Sequence, residues 1–219
     1  MRELSSLAEI GAVVQELSME QLASVCSADD ALARLLSGNE RFVSGRPQPR
    51  RSGADAELVP AQRPFATVLG CSDSRVPPEL LFDVGFGELF VIRVAGNVIL
   101  PAVMGSIQYA AVHLRTPLFM ILGHEGCGAV WAALNALHQG SVEKSRIQLL
   151  VESIKPGLEA IPADTPREER LRKGVEANVR WSMHQLLDTP EGRDRLAEGP
   201  LKLVGGVYEL TTGRVRLLH

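Results

Sequence analysis

Three short, almost wholly apolar runs constrain this 219-residue chain more than any other feature. Phe65 to Gly70, Leu89 to Val94 and Pro117 to Gly123 are bounded by glycine and proline and separated by stretches with helical spacing. A strand that is apolar on both faces has to be covered on both faces. Strands that alternate with helices meet that demand as a parallel sheet between helical layers. The expected fold class is therefore α/β, with a central, mostly parallel β-sheet flanked by helices. A chain of this length buries roughly 70–75% of the surface its unfolded form exposes, so it needs neither disulfide nor metal merely to have a core.

Around that frame the local signals are helical at the start and extended at the end. Ile10, Val13, Val14 and Leu17 lie at helical spacing, which predicts an amphipathic N-terminal helical arm within residues 1–27, ahead of a single domain over 28–219. Ser27 and Asp30 have the spacing of a capping box, and Leu32, Leu35, Leu36 and Phe42 mark the helix that follows. Gly45 to Gly53 reads as an extended connector. Thr165-Pro166-Arg167-Glu168 predicts the cap and first turn of a long helix with Leu171, Val175, Val179 and Leu186 on its buried stripe. Leu201 to Leu210 and Val215 to Leu218, split by Thr212-Gly213, form a closing strand pair. Val94 to Leu114 carries no formal charge, yet Gly96, Asn97, Pro101, Gly105, Ser106, Gln108 and His113 interrupt it. It reads as a strand end, a loop and a core helix rather than a membrane span.

Composition removes several function classes. With 45% hydrophobic and 22% charged residues the chain is neither disordered nor fibrous. A net charge of -3 gives no electrostatic footprint for nucleic acid. Neither nucleic acid nor a membrane is expected as a partner. Cys26, Cys71 and Cys127 cannot all pair within one chain, so a reducing compartment is the simpler setting. Glu3, Glu9 and Glu16 surround the short apolar patch Ile10 to Val14, which is no secretory leader, and a cytoplasmic location is expected.

Reactive side chains gather just after two of the predicted strands, where α/β sheets hold their ligands. Cys71-Ser72-Asp73-Ser74-Arg75 follows the first run, and His124-Glu125-Gly126-Cys127-Gly128 follows the third. Cys71, His124 and Cys127 make a Cys2His set, and three protein ligands leave a tetrahedral zinc one open position for chemistry. Cys127 also stands where a helix is predicted to begin, and the field of a helix N-terminus favours a thiolate. Other readings remain open at this level. Each cysteine could be core filling. Gly123-x-x-Gly126-x-Gly128 could be a phosphate-cradling loop, although its order is wrong for the dinucleotide fingerprint and a His and a Cys occupy its interior. A structural zinc module needs a fourth protein ligand, for which Cys26 is the spare cysteine. Asp73 and Arg75 could be a surface ion pair worth about 0–1 kcal/mol. His113, His138, His184 and His219 are isolated from other ligand types and read as structural or exposed.

The segments Cys71-Ser-Asp-Ser-Arg75-Val-Pro-Pro-Glu79, Gly87-Glu-Leu-Phe-Val-Ile-Arg93-Val-Ala-Gly-Asn97, Ser106-Ile-Gln-Tyr109-Ala and Gly123-His-x-x-Cys-Gly-Ala129 resemble, in order and spacing, the β-class carbonic anhydrases. The resemblance runs from about Asp29 to the C-terminus. It implies reversible hydration of carbon dioxide to bicarbonate, with one zinc per chain on Cys71, His124 and Cys127 and a catalytic dyad of Asp73 and Arg75. Gln62, nine residues before Cys71, Phe90, and Tyr109, fifteen before His124, match the substrate pocket of the plant-like (type I) group. In that family these pocket residues reach a neighbouring subunit's zinc, which implies a homodimer or higher homo-oligomer. Val68 stands where the other group has the tryptophan of its bicarbonate-linked inactive state, so that control is not expected; Val84 stands where a glutamine is common. Asp73 as a fourth ligand would give a closed site. Relatives on the same scaffold that hydrolyse carbon disulfide or carbonyl sulfide would carry identical metal motifs.

The chemistry fits the residues. Carbon dioxide is small, apolar and weakly electrophilic, so hydrating it near neutral pH takes a metal-activated water beside an apolar pocket. Two thiolates and an imidazole bring zinc to a formal charge of zero. Water there should ionise above the value of about 7 that a three-histidine carbonic anhydrase site reaches. Asp73 can then orient that water while Arg75 holds it ionised through a forked pair.

Overall fold

The strands Ala66–Gly70 (β1) and Leu118–His124 (β3) are buried at every residue, as their uninterrupted apolar runs demand. The computed structural model that contains them describes residues 26–49, 60–189 and 201–218; the predicted helical arm lies outside these, apart from Cys26 and Ser27. β1 pairs in parallel with β2 (Leu89–Arg93) on one side and with β3 on the other. β4 (Lys202–Tyr208) adds in parallel to β3, and β5 (Val215–Leu218) closes the edge antiparallel to β4. The order β2-β1-β3-β4-β5 is the mostly parallel sheet that the sequence predicts. The closing strand pair is also present, with its first strand extending the parallel ladder.

Helices cover the sheet. α1 (Ala28–Val43) opens on the predicted capping box: the Asp30 N–H donates to Ser27 Oγ at 3.0 Å, and the Ser27 N–H donates to the Asp30 carboxylate at 3.3 Å. α2 (Pro78–Leu81) and α3 (Pro101–Tyr109) both begin on a proline, whose missing N–H costs nothing there. α3 runs on into a π-helical turn, Ala110–Leu114, which stops at Arg115 in the left-handed region with φ 51°. α4 (Gly128–Gln139), α5 (Ile147–Ile154) and α6 (Arg167–Leu187) complete the layers. No helix among the described residues is long and apolar enough to cross a membrane.

Two local expectations need correction. The long helix has Pro166 rather than Thr165 at its N-cap, and no side chain caps it. Pro166 is itself extended, with ψ 142°, so the helix starts one residue later and the Thr165 hydroxyl is one position too early to reach the first-turn amides. Glu168 and Glu169 complement that helix end instead. The segment read as a core helix is only half so: Val103 and Ile107 are buried, whereas Tyr109 is 45% and Val112 55% exposed. Its outer apolar face has no cover among the described residues.

α6 rests directly on strand backbone. A Cβ on Gly123 would meet Val179 Cγ2 at 2.6 Å, and one on Gly205 would meet Met183 Sδ at 2.7 Å. On the opposite side, the buried Asn39 of α1 donates to the carbonyls of Leu81 at 3.1 Å and Gly213 at 2.9 Å, and accepts from the Val215 N–H at 2.8 Å. Replacing Asn39 by Ala strands three buried or half-buried backbone groups. The expected loss is about 2–4 kcal/mol of unfolding free energy in a urea titration at fixed protein concentration. A loss under about 0.5 kcal/mol would show that the bonds do not matter.

Candidate metal centre

Neighbouring strands deliver the cluster. Cys71 directly follows β1, His124 ends β3, and Cys127 is the N-cap of α4, so the β1–β3 ladder carries all three to one sheet end. Their ligand atoms lie within 4.8 Å of one another, and all three residues are buried. Among the described residues no other group of three or more His, Cys, Asp or Glu side chains is so gathered, and neither Cys26 nor another histidine belongs to it. His113 lies against Tyr109 and His184 faces Asp188; His219 lies outside the described residues.

The histidine settles what the cluster can hold. His124 Nδ1 lies 2.8 Å from the Glu125 carbonyl, an acceptor, so Nδ1 carries the proton and donates it. Nε2 is left with a lone pair, buried and without a hydrogen-bond partner. A buried lone pair facing two sulfurs is an unmet demand that a soft-to-borderline cation satisfies, and a histidine oriented by a carbonyl is the usual support of such a ligand. The residues fit zinc.

The two thiols lose one proton easily and share the other. The hydrogen bond from the Cys127 thiol, helped by the Gly96 N–H, holds the Cys71 thiol down to about 4 against the opposing effect of burial. The Gly96 N–H donates to Cys71 Sγ at 3.3 Å. Cys127 is pushed up by that same hydrogen bond and by burial, although the amides of Ala129 and Val130 pull the other way. The helix-start field expected from the sequence is therefore real but outweighed, and the first thiolate falls on Cys71.

Asp73 and Arg75 form the expected fork. Arg75 Nε donates to Asp73 Oδ1 at 2.9 Å and Nη2 to Oδ2 at 2.8 Å, while the Arg75 N–H adds a bond to Oδ1 at 3.0 Å. These bonds hold the Asp73 carboxyl well below the usual carboxylate range in spite of partial burial. Oδ2 lies 3.9 Å from His124 Nε2, so the carboxylate borders the cluster. Arg93 braces this segment, a contact that sequence reasoning missed. From the end of β2 it donates to the Cys71 carbonyl at 3.0 Å and to the Asp73 carbonyl at 2.6 Å, fixing the backbone that presents both side chains. The signal was a single charge inside an apolar strand.

The pocket residues do not join the cluster within one chain. Phe90 pairs with Thr67, three residues before Gly70 at the strand end, which places it about 10 Å back along the sheet. Its ring stacks on Tyr109 at a centroid distance of 6.0 Å, and Gln62 is exposed in the segment before β1. Val68 is buried in mid-sheet between Val91 and Met120. The glycines of the His124 loop are accounted for without a phosphate: Gly123 admits α6, and Gly126 makes a turn at φ 67°.

The carbonic anhydrase family profile matches residues 66–215. A carbonic anhydrase of Mycolicibacterium smegmatis is 42% identical over 186 residues, covering 84% of this chain and 89% of the relative. Carbonic anhydrase 2 of Mycobacterium tuberculosis is 40% identical over 186 residues with the same coverage of both chains. Among solved structures, a tetrameric β-carbonic anhydrase of Sordaria macrospora aligns with a TM-score of 0.66 at 27% identity, covering 74% of this chain and 84% of its own. The profile match runs from the start of β1 to the first residue of β5 and includes both reactive segments, and with it the chain belongs to the β-carbonic anhydrase family of zinc enzymes that hydrate carbon dioxide reversibly.

Proposed function

We propose that Cys71, His124 and Cys127 hold the zinc of this carbonic anhydrase and that Asp73, backed by Arg75, directs the attacking water. The observation that carries the reading is the partnerless Nε2 of His124 beside two buried thiols. Zinc bound there supplies a Lewis acid that makes water nucleophilic near neutral pH. Water and carbon dioxide become bicarbonate and one proton, and the protein's part is placement. Asp73 accepts a hydrogen bond from the water and so leaves an oxygen lone pair turned toward carbon dioxide. Arg75 occupies both carboxylate oxygens, keeping Asp73 ionised and drawn away from the metal. Closing the site with Asp73 as a fourth ligand requires that fork to break.

Gln62, Phe90 and Tyr109 serve the substrate pocket from a partner subunit. Their offset along the sheet, the half-buried β2 edge and the exposed apolar side of α3 favour a homodimer or larger homo-oligomer. The tetrameric Sordaria relative is consistent with that assembly. A reducing, cytoplasmic setting would keep both thiols available as ligands.

Stopped-flow carbon dioxide hydration by the zinc-loaded protein should accelerate with pH across about 6.5 to 9, the range that brackets ionisation of the activated water. Asp73 is held ionised far below that range, so the rise reports on the water. Absence of any rate in zinc-replete protein would defeat the reading. Alanine at Cys71, His124 or Cys127 should abolish stoichiometric zinc, whereas Asp73→Asn should keep the metal and slow hydration by about a hundredfold. Retention of zinc by all three alanine variants would remove the ligand assignment. Mixing Cys71→Ala subunits with Gln62→Ala subunits should restore activity toward about a quarter of the wild-type level, since half of randomly formed dimers then own one complete site. Mixtures no better than the parents would place Gln62 outside the partner's pocket.

A further inference from the structure

Behind Cys71 stands a polar device on a helix that otherwise packs with apolar residues. α6 lays Val175 and Val179 against the strands, yet Asn178 and Ser182, one turn apart on its buried side, are each only 1% exposed. Asn178 Nδ2 donates to the Gly96 carbonyl at 2.8 Å; the nitrogen has to face it, since two oxygens cannot share a proton there. Ser182 Oγ donates to the Asn97 carbonyl at 3.1 Å and receives a long 3.5 Å contact from Asn97 Nδ2. These two carbonyls belong to the 3-10 turn Ala95–Asn97, whose Gly96 N–H points at Cys71 Sγ.

The turn needs holding. Gly96 and Asn97 both sit at positive φ, 73° and 45°, and a Cβ on Gly96 would meet Ile154 Cδ1 at 2.7 Å. Left-handed backbone at a non-glycine residue persists only where its surroundings enforce it. Asn178 pays for its place badly as a core residue, because its Oδ1 is buried without a partner among the described residues. The end that is bonded explains why an amide is there at all.

The geometry points to Asn178 and Ser182 as positioning residues for the metal centre, which clamp the Gly96–Asn97 turn so that its N–H stays on the sulfur of Cys71. This rests on Cys71 being a zinc ligand. An N–H bond to a ligating sulfur withdraws electron density, and groups that support a ligand in this way set its donor strength and the metal affinity. α6 therefore acts on the metal through two backbone links without touching it.

The test uses the full-length protein loaded with cobalt(II) in place of zinc, reading the sulfur-to-cobalt charge-transfer band, together with zinc affinity by chelator competition. Asn178→Ala and Ser182→Ala should move the band to longer wavelength, as a less-withdrawn sulfur gives its electrons more readily, and should weaken zinc by about tenfold, as the loss of a fixed backbone around Cys71 outweighs the gain in donor strength. Val179→Ala, which thins the packing of the same helix, should leave the band in place. If Asn178→Ala does not fold, Ser182→Ala, which deletes one hydroxyl, decides alone. A wild-type band that is unmoved in the folded variants overturns the inference while sparing the ligand set. A wild-type protein with no sulfur-to-cobalt band overturns both.

Discussion

The parallel pairing of β1 with β3 is the constraint on which the site depends. Gly70 is level with Leu122, so the chain leaving β1 enters Cys71 beside the residues that end β3 in His124. Neither strand could be shifted by one residue without turning every side chain to the opposite face. The buried apolar runs thus do two things with one register. They fill the core, and they fix the sulfur and the imidazole in each other's reach.

Around that register, electrostatics are arranged by short bonds rather than by net charge. The Glu125 carbonyl chooses the histidine tautomer, Arg75 keeps Asp73 ionised, and Arg93 ties down the carbonyls between the two reactive side chains. The thiol pair is unequal because one sulfur donates to the other, and burial makes the second proton hard to remove. A divalent cation is the partner that reconciles two buried thiols with a neutral imidazole. A site of this kind asks the protein for rigid backbone more than for many charged groups.

Much of this could be read before any coordinates. The apolar runs located β1, β2 and β3 to within a residue or so, because burial on both faces leaves a composition that few other elements share. The capping box at Ser27 was visible since it depends on residues three apart. What escaped were relations between distant segments. Nothing near Arg93 in sequence says that its guanidinium crosses to the carbonyls after β1, and nothing near Cys127 says that Cys71 will outcompete it for the negative charge. The outward apolar side of α3 was misread as core because periodicity records a side chain's face and not what lies opposite. Thr165 is not the cap because Pro166 stays extended and the helix starts only after it.

The three hydrogen bonds of Asn39 carry a consequence for how the molecule is made. The helix that holds Asn39 is the first described element, and the Val215 N–H that it accepts from lies 176 residues further on. Between them the chain must also lay down a parallel ladder whose strands are far apart in sequence. Contacts of such long range slow folding, because loop entropy is spent before they form. During synthesis, then, α1 can meet α2 and β3 early, but Asn39 lacks two of its three partners until Gly213 and Val215 have left the ribosome. A nascent chain stalled before β5 has a buried amide with those two bonds unmade, and is a species that chaperones would have to shield.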